Sequence, residues 1–244
     1  MGIVLTTAGD LGLPAGIGGL LFDMDGVLTD TSGLHTHAWK DTFDDYLRDK
    51  DGSGFTPFSA EHDYPQYVDG LPRLDGVRSF LRSRHIDADE KLVLRLGDNK
   101  DARLKELIDE TGVRAYPGSL RYLEACRSAG LPCAVVSSSA NAKAFLESAG
   151  LTGFLDARID GVTLHERNIP GKPAPDMFLA GADAIGVRPE HAAVFEDALS
   201  GVSAGHSGHF GFVIGVNRAN QADALKEHGA DRVVNDLAEL LEKV

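Results

Sequence analysis

Cysteine is nearly missing from these 244 residues: Cys126 and Cys133 are the only two. Their spacing gives neither a disulfide framework nor a metal-ligand pattern, and it suits a reducing cytoplasm. Cations are scarce as well, with 24 Lys and Arg against 37 Asp and Glu and a formal net charge of −13. That balance argues against nucleic acid or an anionic membrane as a partner. A phosphorylated ligand would have to be met by a local cluster of cations instead. No apolar run approaches the length of a membrane span, and Met1–Gly19 lacks the basic start and long apolar centre of a signal peptide. Internal repeats and low-complexity tracts are absent too. A cytoplasmic location is therefore the expectation.

What is present is enough for a sizeable core. Hydrophobic residues make up 43% and charged residues 25%, ordinary proportions for a soluble globular chain. The most informative stretch is Gly19-Leu-Leu-Phe-Asp23-Met-Asp25-Gly26-Val-Leu-Thr-Asp30. Leu20–Phe22 reads as a buried strand of a parallel sheet, and Gly26 as the turn that releases the chain. Ligands of open α/β sheets bind beyond the carboxyl ends of the strands, which puts Asp23 at a strand tip and Asp25 just past it. Two carboxylates in different environments can divide labour, one as nucleophile and one as proton shuttle.

Before this strand, Met1–Gly18 reads as a Gly-rich arm. After it, residues 31–112 look all-helical. His35, Ala38, Trp39, Thr42, Phe43 and Tyr46 recur at helical spacing until Asp51-Gly-Ser-Gly54 breaks the pattern. A second helix starts near Pro72, and a third runs from about Lys100 to Gly112; Lys91–Leu94 alone suggests a strand. From Val113 the rhythm alternates. Strands are expected at 132–136, 192–195, 210–216 and 232–234, with helices at 117–129, 141–149, 175–185 and 199–207 and from Leu237. Alternation of this kind predicts a doubly wound, Rossmann-like parallel sheet built from residues 1–30 and 113–244, with 31–112 inserted after the first strand as a helical cap domain.

Three further stations in the second half fall where a parallel-sheet active site needs them, two at strand ends and one directly before a helix. Val135-Val-Ser137-Ser-Ser139 ends a strand in hydroxyls; Ser137 and the N–H groups after it could hold phosphate oxygens, although a serine there is often only a helix cap. Gly171-Lys172-Pro-Ala-Pro-Asp176 fixes a lysine between Gly and Pro, where it can neutralise phosphate and a neighbouring carboxylate. Phe195-Glu196-Asp197 ends an apolar strand in two acids, which repel unless a cation intervenes; hard oxygen ligands suit Mg²⁺. His206-Ser-Gly-His209 reads as a solvated pair, not a metal site.

In their order, these four stations resemble the motifs of the haloacid dehalogenase superfamily. The resemblance implies that Asp23 forms an aspartyl-phosphate and that Asp25 is the general acid/base. It also implies Mg²⁺ at the Asp23 carboxylate, the Asp25 backbone carbonyl and Asp197, with Glu196 nearby. Thr29-Asp-Thr31 followed by His35, Trp39 and Lys40, together with GKPAPDMF, is similar to the β-phosphoglucomutase family. That likeness implies that His35 contacts Asp25, that Arg73 grips the non-reacting phosphate, and that Trp39, Lys100 and Asn141 join Ser137 and Lys172 around a small sugar phosphate. The implied reaction converts β-D-glucose 1-phosphate to glucose 6-phosphate through a bisphosphate. The alternative is a sugar-phosphate phosphatase using the same core residues. One departure stands out: Asp69-Gly-Leu-Pro-Arg73 lacks the lysine that the family pattern often carries ahead of the arginine.

Overall fold

The computed structural model describes residues 8–241; residues 1–7 and 242–244, and with them the start of the expected arm, lie outside the described residues. Six parallel strands form one sheet: β1 (Gly19–Phe22), β2 (Cys133–Val136), β3 (Ala157–Ile159), β4 (Ala192–Glu196), β5 (Phe212–Val216) and β6 (Arg232–Val234). Their order is β3-β2-β1-β4-β5-β6. The chain thus winds outward from β1 on one side and from β4 on the other, leaving a switch point between their carboxyl ends. The helices are α1 (Ser32–Asp51), α2 (Asp63–Tyr67), α3 (Arg73–Ser83), α4 (Glu90–Thr111), α5 (Pro117–Ser128), α6 (Ala142–Ser148), α7 (Gly161–Arg167), α8 (Asp176–Ala184), α9 (Leu199–Ser207) and α10 (Ala222–Glu227).

Strand side chains alternate between two apolar layers, as the period of two requires. Leu20, Phe22, Val135 and Phe195 join Tyr122 and Leu123 of α5 on one face, while Leu21, Val136 and Val194 join Met177 and Phe178 of α8 on the other. Phe22 stacks on Phe195 with ring centroids 4.3 Å apart, locking β1 to β4 directly beneath the switch point. Burial on both faces explains why the central strands read as unbroken apolar runs.

Residues between β1 and α5 form the four helices α1–α4, with an apolar cluster of their own around Trp39, Phe43, Phe58, Phe80 and Leu96. Phe43 and Phe80 lie 4.1 Å apart at its centre. Chain enters and leaves this block side by side. Asp30 N–H donates to Arg114 O at 2.9 Å, Tyr116 N–H donates to Leu28 O at 3.0 Å, and Thr29 bridges Ala115 antiparallel.

Several expectations need correction. Lys91–Leu94 is helical, within an α4 that starts ten residues earlier than Lys100. Asp89 caps that helix by accepting Leu92 N–H at 2.8 Å, and Val93, Leu96, Lys100 and Leu104 share its buried side. A cap and a helical stripe outweigh four residues of strand-like composition. Strand β3 and helices α2, α7 and α10 are additional; β3 has three residues, too few to print a period. The segment from Leu237 is a short 3-10 turn, Leu237–Leu241.

Candidate active site

Asp23 follows β1 directly, and its N–H donates to Phe195 O at 2.9 Å, so the β1–β4 ladder itself sets the carboxylate at the switch point. Gly26 then turns the chain back with φ +84°. A Cβ at this position would also lie 1.8 Å from Asp197 Oδ2. Backbone conformation and close approach thus both require glycine here. The turn brings the loop after β1 against the loop after β4 and seats Asp25 beside the first helical turn of α1.

Lys172 is fully buried between two carboxylates. Its ammonium donates to Asp23 Oδ1 and to Val136 O at 3.3 Å, and it lies 2.6 Å from Glu196 Oε1. Glu196 Oε2 accepts Ala198 N–H at 2.9 Å, which a Cβ at Gly201 would crowd out. Burial lowers the Lys172 pKa, but Asp23 and Glu196 outweigh it and hold the group above the ordinary lysine value. Asp23 is pushed well up, first by burial and then by Glu196 and Asp25, against the pull of Lys172. Asp197 is raised too, by burial and by Asp69, Glu196 and Asp23. Asp23, Glu196 and Asp197 present oxygens within 4.8 Å of one another. Three buried carboxylates facing one buried ammonium leave a negative excess. An all-oxygen donor set with that excess fits a hard divalent cation.

Asp25 lies in a different environment. Thr31 Oγ1 donates to its Oδ1, and His35 Nε2 lies 3.4 Å from the same oxygen. Lys100 Nζ is 3.1 Å from His35 Nδ1. An ammonium can only donate, so Nδ1 accepts and the imidazole proton resides on Nε2, facing Asp25. Burial raises the Asp25 pKa, but His35, Thr31 and Lys100 together bring it below the usual carboxylate value. Burial and Lys100 lower His35, and burial lowers Lys100 to about 8. Asp23 and Asp25 thus lie in distinct electrostatic environments, one among buried carboxylates and the other beside His35, Thr31 and Lys100.

These groups open into a cavity of about 800 Å³ between the sheet edge and the helical block. Ser137 lies on its floor, with its Oγ accepting Ser139 N–H at 3.1 Å. Trp39 reaches the wall, yet its ring is buried in the block's apolar cluster, 5.1 Å beneath Lys100 Nζ. Arg73 and Asn141 approach from opposite walls and both meet Asp101. His206 and His209 are exposed, as their spacing suggested.

Several residues around the site carry no motif. Asp69, hydrogen-bonded to Tyr64, faces the acid cluster, and burial and Glu196 raise it to about 7. Ser200 Oγ and Ser138 Oγ donate to the consecutive carbonyls of Asp69 and Gly70 at 2.7 Å each, tying the helical block to both sides of the switch point. Behind the acids, Arg218 Nε donates to Gly26 O at 2.7 Å and Gln221 Nε2 to Asp197 O at 3.0 Å. Such backbone-directed contacts leave no spacing signature.

A parallel sheet in this order, with paired carboxylates and a lysine at its switch point, defines an α/β phosphoryl-transfer enzyme. The profile described as haloacid dehalogenase-like hydrolase matches residues 17–209. The chain is 52% identical over 246 residues to a β-phosphoglucomutase of Mycobacterium bovis, covering 95% of this chain and 94% of that one. It is 29% identical to a phosphorylated carbohydrates phosphatase of Thermotoga maritima over 91% and 99% of the two chains. The crystal structure of a β-phosphoglucomutase from Clostridium difficile superposes with a TM-score of 0.75 at 25% identity, over 92% and 93% of the chains. The chain belongs to the haloacid dehalogenase-like hydrolases and, within them, to the β-phosphoglucomutase family. Among the described residues, no helix is long and apolar enough to cross a membrane.

Proposed function

We propose that this enzyme interconverts β-D-glucose 1-phosphate and glucose 6-phosphate through a sugar bisphosphate, with residues 31–112 serving as a cap over a core formed by 1–30 and 113–244. The observation that supports the reading is the meeting of Asp23, Asp25, Lys172 and Asp197 around one cavity, in a chain 52% identical to a β-phosphoglucomutase. Asp23 Oδ attacks phosphorus and becomes the aspartyl-phosphate. Asp25 gives a proton to the departing sugar oxygen and takes one from the incoming hydroxyl, in line with general acid–base catalysis. His35, itself oriented by Lys100, holds Asp25 in place. Lys172, Ser137 and the backbone N–H groups directly after Ser137 bind the reacting phosphate. Mg²⁺ at the Asp23 carboxylate, the Asp25 carbonyl and Asp197, with Glu196 nearby, would when bound neutralise charge on the transferring phosphoryl group.

Arg73 is the group suited to the non-reacting phosphate, because a guanidinium can meet it through two parallel hydrogen bonds. Holding that phosphate would keep the cap closed and water away from the phosphoaspartate. The test supplies β-glucose 1-phosphate with and without a bisphosphate primer and follows glucose 6-phosphate and free phosphate together. Primer-dependent glucose 6-phosphate is expected. In Arg73→Ala it should fall by roughly 30- to 1,000-fold, while phosphorylation of Asp23 by acetyl phosphate falls much less. Free phosphate as the main wild-type product would favour a sugar-phosphate phosphatase, the activity printed for the Thermotoga relative.

A further inference from the structure

Two side chains assigned above to the sugar phosphate converge on a single oxygen of the protein itself. Asp101 Oδ1 accepts a hydrogen bond from Asn141 Nδ2 at 2.9 Å, across the cavity, and lies 3.2 Å from Arg73 Nη1. Asp101 Oδ2 is meanwhile 2.7 Å from Lys105 Nζ, one turn further along α4. An oxygen anion held by a guanidinium and an amide from opposite walls has the partners a phosphate oxygen would take. The grip on Asp101 is also loose. Arg73 makes single contacts, at 3.2 Å to Asp101 and at 3.5 Å to Asp98, and no parallel pair to either carboxylate. Arg73 is about one-third exposed, so it can reorient without unpacking a core. The two oxygens of Asp101 divide their duties. Oδ1 can lose both partners while Oδ2 keeps Lys105, so the carboxylate is not stranded unpaired when a stronger anion arrives.

We infer that Asp101 is an internal counter-ligand for the non-reacting phosphate: it occupies Arg73 and Asn141 in the empty site and yields them to the substrate, with Lys105 as its resting partner. The inference rests on the reading of Arg73 as the phosphate grip. Substrate affinity is then set by an exchange of anions, and Asp101 lowers it. A dianionic phosphate can win the exchange by charge and by two parallel bonds, whereas a carboxylate-bearing or uncharged sugar has little to displace Asp101 with. Asp101 thereby acts as a specificity-determining residue on the wall of the cavity opposite the chemistry.

The experiment measures KM for β-glucose 1-phosphate on the phosphoenzyme, and in parallel the rate at which acetyl phosphate phosphorylates Asp23, which engages only the core side. Asp101→Asn, which keeps an oxygen for Asn141 but no charge for Arg73, should lower KM about three- to tenfold. Lys105→Gln should raise it about threefold by leaving Arg73 as the main cation for Asp101. In the Asp101→Asn background, Lys105→Gln should have no further effect, because it acts through Asp101 alone. A raised KM in Asp101→Asn would overturn the exchange and leave Asp101 a supporting residue. Full additivity of the two substitutions would overturn it as well, since it would mean bulk charge alone. Lys105 is more than half exposed, so its variant reports even where Asp101→Asn loses thermal stability. A wild-type KM in Arg73→Ala would remove the phosphate reading itself, a result separable from either of the others.

Discussion

The two walls of the cavity hold their charges in different ways. On the sheet side, Lys172, Asp23, Glu196 and Asp197 are buried, and the strand ladder, the Gly26 turn and the Gly201 approach allow each little choice of position. On the helical side, Arg73 is about one-third exposed, Asp98 and Lys105 are largely solvated, and their contacts are single and exchangeable. Phosphoryl chemistry needs preorganised charge, because a group that must reorient at the moment of reaction loses its advantage. Recognition of a substrate that enters and leaves needs groups that can change partners. Under the proposed roles, chemistry belongs to the stiff wall and selection to the pliant one.

The largest test of that contrast is Asp23→Asn. An amide cannot attack phosphorus, so turnover and labelling by acetyl phosphate should fall by several orders of magnitude, with a native circular dichroism spectrum. Retention of more than about a hundredth of wild-type turnover would dismiss Asp23 as nucleophile. Stability offers the next test. Lys172→Ala leaves Asp23 and Glu196 buried without their cation and should cost about 3–5 kcal/mol in urea unfolding at pH 7 with chelator present. Arg73→Ala, on the pliant wall, should cost under about 1 kcal/mol. Similar losses from both would erase the distinction between the walls.

The smallest effect concerns Asp69, which sits where the walls meet. Its carboxyl rises from an ordinary 3.8 to about 7 on folding. Between those values it is protonated in the native protein and ionised in the unfolded chain, so stability declines as pH rises through that window and stays lost above it. Asp69→Asn, neutral throughout, should flatten this slope and raise stability at pH 8 by roughly 2 kcal/mol in the metal-free protein. Urea unfolding at pH 5 and pH 8 measures both. An unchanged slope would mean that Asp69 stays ionised against the acid cluster.

How much of this was legible in the sequence follows from the same contrast. Asp23, Glu196 and Asp197 sit at ends of apolar strands and Lys172 lies between glycine and proline directly before a helix, features of the chain itself that are visible without coordinates. The parallel sheet was readable for that reason, as was the helical character of residues 31–112. Strand β3 was not, because three residues, of which only Ile159 is buried, carry too little pattern. The helical run of α4 was cut short because Lys91-Leu-Val-Leu94 is locally ambiguous, and only the Asp89 cap and the shared buried face of Val93, Leu96 and Lys100 resolve it. Asp69, Asp101, Arg218 and Gln221 were missed for another reason. Asp69 matters through its burial near Glu196, Asp101 through Asn141, forty residues away, and Arg218 through the carbonyl of Gly26. Their importance lies in tertiary neighbours that no local spacing encodes.

The antiparallel pairing of Leu28–Asp30 with Arg114–Tyr116 has a consequence for how such a molecule could have been assembled. Seen from the sheet, the whole helical block behaves like the tip of a hairpin, entered and left through two adjacent backbone segments. The entropy of closing a loop grows only logarithmically with its length, so a block of this size burdens the sheet little more than a short turn would. Its own apolar cluster supplies its cohesion. About a third of the chain can therefore be lengthened, shortened or exchanged as a cassette while Asp23, five residues before the pairing begins, keeps its place.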